Sequence, residues 1–179
     1  MKRITLSILT LFTALALFTA RPAHAQQPQI PTLQVCNVPG TVSGSGAVSI
    51  ISRGSFKIEI KVSCDPVTGY PVLGVLNVNV AMNDSTLAGI FSATTVDQIT
   101  VTGRITPTAY LSGRCEVPSG AVVGCRYWIM LADNGVSSPL APSTPDIVSF
   151  LVFDKSGTRV AYGTGPLVTG DISVSPTPF

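Results

Sequence analysis

The stretch SFKIEIKVS at residues 55–63 decides the fold class of this chain. Its apolar residues at even positions alternate with polar residues at odd positions, a period of two that is typical of a β-strand with one buried face. The alternation predicts that Ile58 and Ile60 lie in a hydrophobic core. Glycine, proline, serine, threonine and valine are abundant, and no helical apolar pattern follows residue 25, so we expect almost no helix.

Further strands are predicted on both sides of this segment. They cover residues 33–38, 48–51, 72–81, 87–91, 98–102, 109–116, 122–131, 147–153, 158–162 and 171–175. The segment 127–131 is apolar at every position and the segment 147–153 at every position except Ser149, which indicates strands buried on both faces and places Trp128, Phe150 and Val152 in the core. The glycine-spaced residues 40–46 are expected to bend at a sheet edge. Together these segments predict an antiparallel β-sandwich of about eight to ten strands.

Residues 1–25 have the pattern of a cleavable signal peptide. Lys2 and Arg3 precede an apolar stretch from residue 4 to residue 20, and Ala23-His24-Ala25 supplies the small residues that signal peptidase requires. The chain is therefore divided into signal peptide 1–25, a leader with a possible first strand at 26–39, the sandwich domain at 40–175 and a proline-rich tail at 176–179. An uncleaved anchor is the alternative, but we expect a secreted, periplasmic or cell-surface protein without stable membrane insertion.

Cleavage would remove the only histidine, His24, and three of the 11 basic residues, Lys2, Arg3 and Arg21. The eight basic residues that remain face nine acidic ones, and this balance argues against nucleic acid as a partner. Without histidine, imidazole bases and Ser-His-Asp triads are excluded after cleavage. The carboxylates are scattered, so a carboxylate-dependent glycoside hydrolase is a minor alternative. We expect no enzyme activity and no cofactor.

The four cysteines predict two disulfides in an oxidising compartment, and a zinc ion bound by four thiolates is the alternative. Cys115 and Cys125 flank a turn at 118–120, and a hairpin around this turn sets the two cysteines opposite each other. Cys36 and Cys64 are then paired by elimination.

Two further sets of side chains are candidates for binding. Tyr70 and Tyr110 lie near predicted strand ends or turns, where exposed rings would stack on sugars, as in a carbohydrate-binding module. Aspartates at turns and strand ends are weak calcium candidates, and capping of their own turns is the simpler interpretation. These aspartates are Asp133, Asp146, Asp154 and Asp171.

Five segments follow one another in a recognisable order. They are Gly40-x-Val42-x-Gly44, the strand at 56–61, Asp133-Asn134-Gly135, Asp146-x-Val148-x-Phe150-x-Val152-x-Asp154 and Gly170-Asp171-Ile172-x-Val174. In this order they resemble the β-rich post-COAP domain of bacterial secreted and cell-surface proteins, over residues 40–174. The resemblance implies an all-β domain outside the cytoplasm and transfers no site residue, because the family has no established activity.

The function expected from these observations is a non-catalytic β-domain with a binding, display or structural role at or outside the cell envelope. A carbohydrate-binding module is the alternative. The partner expected is an envelope or extracellular polymer, or another protein.

Overall fold

The computed structural model describes residues 34–38, 40–103, 105–117, 124–135 and 144–176, which form an all-β structure without a helix. The strands are β1 (Val35–Val38), β2 (Gly40–Ile50), β3 (Gly54–Cys64), β4 (Pro71–Met82), β5 (Gly89–Ala93), β6 (Gln98–Thr102), β7 (Thr108–Glu116), β8 (Cys125–Ala132), β9 (Ile147–Asp154) and β10 (Arg159–Pro176). The predicted signal peptide, the leader up to residue 33 and residues 177–179 lie outside the described residues.

The strands close into a barrel, so the predicted sandwich is wrong. Eight strands form a ring in the order β7-β5-β4-β3-β2-β10-β9-β8, and β8 pairs back to β7. Beyond the ring, β6 follows β5 along the same edge of β7, and β1 adds to β6 as a parallel strand. Closure replaces the two sheets of a sandwich by one continuous hydrogen-bonded sheet around a single interior.

The core lies inside this barrel. Four of the predicted core residues are buried there: Ile58, Ile60, Phe150 and Val152. The rings of Phe56 and Phe150 meet edge to face, with centroids 4.7 Å apart. Gly163 of β10 lies against both rings, because a Cβ atom at this position would come within 2.8 Å of a ring carbon of each. The missing side chain lets β10 pass directly over the aromatic pair.

β10 is one strand of 18 residues, whereas the sequence predicted two short strands at 158–162 and 171–175. Its first half, residues 159–166, pairs with β9, and its second half, residues 167–176, pairs with β2. The segment 40–46, expected at a sheet edge, lies within β2 between β3 and β10. Glycine at 44 and 170 allows β2 and β10 to approach, since a Cβ atom at either would collide with the facing backbone.

Both predicted disulfides are confirmed. Cys115 and Cys125 lie opposite each other in the β7–β8 pair, with Cα atoms 4.8 Å apart. Cys36 of β1 is bonded to Cys64 at the end of β3, with Cα atoms 6.0 Å apart. All four cysteines are thereby bonded in pairs, so the alternative zinc site is wrong. Two disulfides suggest an oxidising compartment.

Two carboxylates lie along the second half of β10, on the side away from β2. Asp146 is buried, and its Oδ2 accepts the amide of Ile172 while its Oδ1 accepts the amide of Asn134, each at 2.9 Å. Asp133 Oδ2 accepts the amide of Val174 at 2.9 Å. These carboxylates satisfy backbone donors that a neighbouring strand would otherwise satisfy.

We expect Asp146→Ala to lower the free energy of unfolding by about 2 kcal/mol, because two backbone amides lose their charged acceptor. Asp171→Ala is the matched control. Asp171 lies exposed in β10, so its loss should change the free energy of unfolding by less than about 0.5 kcal/mol. Urea denaturation followed by tryptophan fluorescence measures both variants. Equal midpoints for the two would contradict the role assigned to Asp146.

Candidate functional site

The outer face of β7, β8 and β9 combines exposed aromatic side chains with apolar neighbours. Tyr110 of β7 is 49% exposed and Trp128 of β8 is 46% exposed. Met130 lies opposite Tyr110, and Leu151 lies opposite Trp128. Met130, Leu151 and the adjacent Phe153 are half-buried. We call the surface formed by these five residues the aromatic face.

The prediction that Trp128 lies in the core is wrong. In β8 the odd-numbered residues from 125 to 131 are buried, while Arg126 and Trp128 are exposed. β8 has a strand partner on each side, but a barrel has only one interior, so every second side chain faces outward. The sequence contains a signal for this orientation, because Trp128 shares its face with Arg126 and arginine is rarely buried without a partner.

Phe153 holds the indole ring of Trp128 in position. The two rings meet edge to face, with centroids 5.4 Å apart and an interplanar angle of 88°. Phe153 lies opposite Arg126 in the β8–β9 pair. The contact supports one part of the indole and leaves almost half of the Trp128 side chain in contact with solvent.

A hollow of about 270 Å³ lies on one side of Trp128, and Tyr110 also lines it. Its polar side chains come from three strands: Gln98, Ser112 and Ser149. The Ser149 hydroxyl lies 2.7 Å from that of Thr164, so a hydrogen bond fixes its position. Apolar walls with a few fixed polar groups are typical of sites for small polar ligands. We call this the tyrosine hollow.

A second, wider hollow of about 870 Å³ also has Trp128 in its lining. It lies at the ends of β7 and β8 and includes the turn that follows β9. The charged side chains among its described lining residues are the basic Arg114, Arg126 and Lys155 and the acidic Glu116 and Asp154. We call this the charged hollow. Trp128 therefore lines two neighbouring hollows of different chemistry.

The Asp154 carboxylate is hydrogen-bonded within its own turn. Its Oδ1 accepts hydrogen bonds from the amides of Ser156 and Thr158, at 2.8 and 2.9 Å, and from the Ser156 hydroxyl at 2.6 Å. The side-chain hydrogen bond from Ser156, followed by the backbone bond from Thr158, holds the pKa of Asp154 below its ordinary value. The carboxylate is therefore ionised at neutral pH and stabilises the turn.

The other calcium candidates also make contacts within the protein or lie exposed. Asp133 Oδ1 accepts the amide of Gly135 at 2.8 Å, and Asp133 and Asp146 both bind amides of β10. Asp171 is exposed. No group of three or more histidine, cysteine, aspartate or glutamate side chains is placed to hold a metal ion in the described part of the chain. The contacts of Asp133 with Gly135 and of Asp154 with its turn support the capping interpretation, whereas Asp146 binds amides of other segments, those of Asn134 and Ile172.

Tyr70 and Tyr110, the two tyrosines predicted to face a ligand, lie in different places. Tyr70 is 53% exposed, but it belongs to the loop between β3 and β4 and lines neither hollow. Its carbonyl oxygen accepts the amide of Asp65 at 2.9 Å, which closes that loop. Only Tyr110 belongs to the aromatic face, and Tyr70 is therefore a control of matched exposure.

Beyond the aromatic face, on the next strand of the ring, lies Tyr162 of β10, opposite Leu151. The guanidinium carbons of Arg53 and Arg159 are 4.6 and 4.2 Å from the centroid of its ring. Its hydroxyl donates to Asp84 at 2.9 Å, and this bond is the largest cause that lowers the pKa of Asp84. A ring that already contacts two cations offers little surface for stacking on a ligand.

Tyr127, next to Trp128 in the chain, points into the barrel. Its hydroxyl donates to the carbonyl oxygen of Thr95 at 2.9 Å, and burial, followed by the charge of Asp97, raises its pKa. Gly113 lies opposite and leaves room for the ring, because a Cβ atom there would be 2.7 Å from the hydroxyl. The role of Tyr127 is therefore structural.

Comparisons of the chain with protein-family models, with curated proteins and with solved structures find no match. The resemblance to the post-COAP domain therefore stays a prediction from its motifs. In the described ranges, no helix has the length and apolar character needed to cross a membrane.

Proposed function

We propose that this protein is an exported, non-catalytic domain that binds carbohydrate through its aromatic face. The observation that carries the proposal is the exposure of Trp128, which lines one hollow with Tyr110 and a second hollow with charged side chains. Indole and phenol rings present flat surfaces on which the C–H face of a sugar ring can stack. Large exposed aromatic residues also dominate the energetics of many binding surfaces.

Polar groups within the aromatic face favour sugar over a protein partner. Ser112 lies opposite Trp128, and Ser149 lies opposite Met130, so hydroxyl groups alternate with rings and apolar side chains. The centre of a protein–protein interface is typically more apolar. Hydroxyl and amide groups close to an aromatic ring can hydrogen-bond the hydroxyls of a stacked sugar.

Export is supported by the signal-peptide pattern at residues 1–25 and by the two disulfides. An exported binding domain meets polymers of the envelope or the surroundings. We therefore propose that the ligands are polysaccharides of the envelope or the surroundings. The domain would attach to these polysaccharides or be displayed on them.

We expect Trp128→Ala to weaken binding to polysaccharide at least tenfold, about 1.4 kcal/mol of binding free energy. Tyr110→Ala should weaken it less, because the phenol ring lines only one of the hollows. Tyr70→Ala should leave it unchanged. Affinity electrophoresis in gels that contain one soluble polysaccharide each, followed by calorimetry with the polymers that retard the protein, measures these effects.

Three outcomes would contradict the proposal. The first is no retardation by any neutral or acidic polysaccharide, and the second is a loss of binding in Tyr70→Ala equal to that in Trp128→Ala. The third is a concentration-dependent dimer that Trp128→Ala abolishes in analytical ultracentrifugation, which would assign the aromatic face to self-association.

A glycoside hydrolase is the second candidate, because Glu116 and Asp154 line the same hollow. The general acid of such an enzyme needs a raised pKa, whereas the pKa of Asp154 is lowered by its own turn. Because three hydrogen bonds within its turn also hold the Asp154 carboxylate, Glu116 has no second free carboxyl group in the described lining, and we expect no release of reducing ends from a polymer that the protein binds. Hydrolysis that disappears in both Glu116→Gln and Asp154→Asn would establish the enzyme instead.

A further inference from the structure

The described lining of the tyrosine hollow carries no charged side chain. Its polar groups are the hydroxyls of one tyrosine and two serines and the amide of Gln98, and its other members are apolar or aromatic. Outside the described ranges, residues 26–179 contain one charged residue, Arg104. The lining is therefore polar but uncharged.

The uncharged surface follows two rows of side chains that cross β6, β7, β8 and β9. The strand register sets the first row, which consists of Gln98, Ser112, Trp128 and Leu151. The second row consists of Thr100, Tyr110, Met130 and Ser149. Residues that lie opposite one another in a sheet share one face, so the two rows form a continuous patch of aromatic, apolar, hydroxyl and amide groups.

Two other hollows of the protein differ in this respect. The charged hollow has the acidic Glu116 and Asp154 in its lining together with basic residues. A hollow of about 510 Å³ over β2, β3 and β4 has Lys57 and Glu59 in its lining. Compared with these two, the tyrosine hollow is the one whose described lining matches a ligand without charge.

An uncharged ligand is favoured by such a lining. A carboxylate that enters the hollow loses part of its hydration, and the described side chains around it include no cation to compensate. A sugar hydroxyl both donates and accepts, so it can exchange water for the hydroxyl and amide groups of the lining. The C–H face of the sugar ring then contacts the aromatic rings.

The two aromatic rings of the hollow are close enough to contact one sugar unit. Ser112 lies opposite Trp128, and Tyr110 lies two residues before Ser112 on the same face of β7. Diagonal neighbours of this kind have Cβ atoms roughly 7 Å apart. The volume of about 270 Å³ lies at the small end of the range for ligand pockets, which indicates one sugar ring rather than a long oligosaccharide.

We propose that the ligand of the aromatic face is a neutral polysaccharide, with one sugar unit bound in the tyrosine hollow between Tyr110 and Trp128 and hydrogen-bonded to Gln98. This inference rests on the proposed function. Gln98 is exposed on β6, so its amide is accessible to a ligand in the hollow. It is thereby a specificity-determining residue outside the five residues of the aromatic face.

The test compares polymers that differ in charge. Barley β-glucan, galactomannan, amylose and any other neutral polysaccharide that retards the protein are each measured by calorimetry beside their own C6-oxidised form, in which primary hydroxyls have become carboxylates. For the parent protein we expect the neutral form of one or more polymers to bind at least about tenfold more tightly. Because no ion pair forms, this affinity should change less than about twofold between about 0.05 and 0.5 M NaCl.

Three variants test the role of Gln98. Gln98→Ala should weaken binding of the neutral form by about threefold to tenfold, the loss expected for one hydrogen bond. Gln98→Lys places a cation at the hollow and should reduce the preference for the neutral form at least about threefold. Asn79→Ala removes an exposed amide on the β2–β4 side and should change neither affinity. Both positions are exposed, so an unchanged unfolding midpoint verifies that each variant is folded.

The failure of this inference is distinguishable from failure of the proposed function. Binding of the oxidised form as tight as that of the neutral form, with both weakened by Trp128→Ala, would overturn the neutral site while the carbohydrate-binding function stands. Binding confined to acidic polysaccharides, or a loss in Asn79→Ala equal to that in Gln98→Ala, would have the same meaning. Absence of binding to neutral and acidic polysaccharides alike would overturn both.

Discussion

The Phe56→Ala variant is expected to lose about 3–5 kcal/mol of unfolding free energy, the range for truncation of a buried aromatic ring. Phe56 is 1% exposed, and its ring packs edge to face against Phe150. Gly163 lies against the same rings and has no side chain that could move into the cavity. Because β3 is paired on both sides, the surrounding backbone has little freedom to collapse.

Phe153→Ala is the matched control for Phe56→Ala. It removes the same phenyl group from the outer face of β9, where the ring is half-buried, and should cost about 1 kcal/mol. Urea denaturation of both variants gives the two free energies. A loss at Phe153 as large as that at Phe56 would mean that the interior of the barrel does not provide the main stabilisation.

The loss of the Cys36–Cys64 disulfide in the double variant Cys36→Ala/Cys64→Ala is expected to lower the free energy of unfolding by about 3.6 kcal/mol. The two cysteines are 28 residues apart in the chain, and closure of a long loop restricts the unfolded chain strongly. In the folded protein the bond also connects β1 to β3. Without it, β1 is attached mainly by its short parallel pairing with β6.

The second disulfide provides the comparison. Cys115 and Cys125 are 10 residues apart, so Cys115→Ala/Cys125→Ala should cost about 2.7 kcal/mol by the same chain-entropy argument. The hydrogen bonds between β7 and β8 already hold this hairpin together. Denaturation under non-reducing conditions measures both double variants, and a larger loss at the hairpin would contradict the entropic account.

Local sequence patterns predict the parts of the fold that depend on neighbouring residues. The alternation in residues 55–63 is confirmed in β3, and the segment 98–102 is confirmed as β6. The hairpin argument for Cys115 and Cys125 works because a β-hairpin fixes its register through the turn. The pairing of Cys36 with Cys64 then follows because no other cysteine remains.

Closure of the barrel depends on contacts that no local pattern encodes. β5 joins β7 through only two residue pairs, Ser92 with Glu116 and Ala93 with Cys115. One buried face per strand is compatible with a sandwich and with a barrel, so alternation does not distinguish them. In β10, Pro166 and the three glycines within residues 163–170 indicate a break between two strands. The strand is nevertheless continuous, and Pro166 marks the position at which its pairing changes from β9 to β2.

The exposure of Trp128 at the candidate site also depends on whether the strands form a barrel or a sandwich. Residues 127–131 are apolar at every position, and in a sandwich such a strand is expected in the middle of the core. In the barrel the same residues are divided between inside and outside, which places Trp128 in solvent beside Arg126. Arg126, two residues before Trp128, was the available signal for this exposure, whereas Tyr110 was singled out because it lies near the end of a predicted strand.

The carboxylates of Asp133 and Asp146 have a further consequence for the behaviour of the protein at high concentration. The amides of Ile172 and Val174 are two residues apart and point to the same side of β10, as in a strand edge that can accept another strand. Exposed edges of this kind recruit neighbouring molecules and begin aggregation. By occupying these amides with carboxylate acceptors, Asp133 and Asp146 protect β10, the longest strand of the described residues, against edge-to-edge polymerisation.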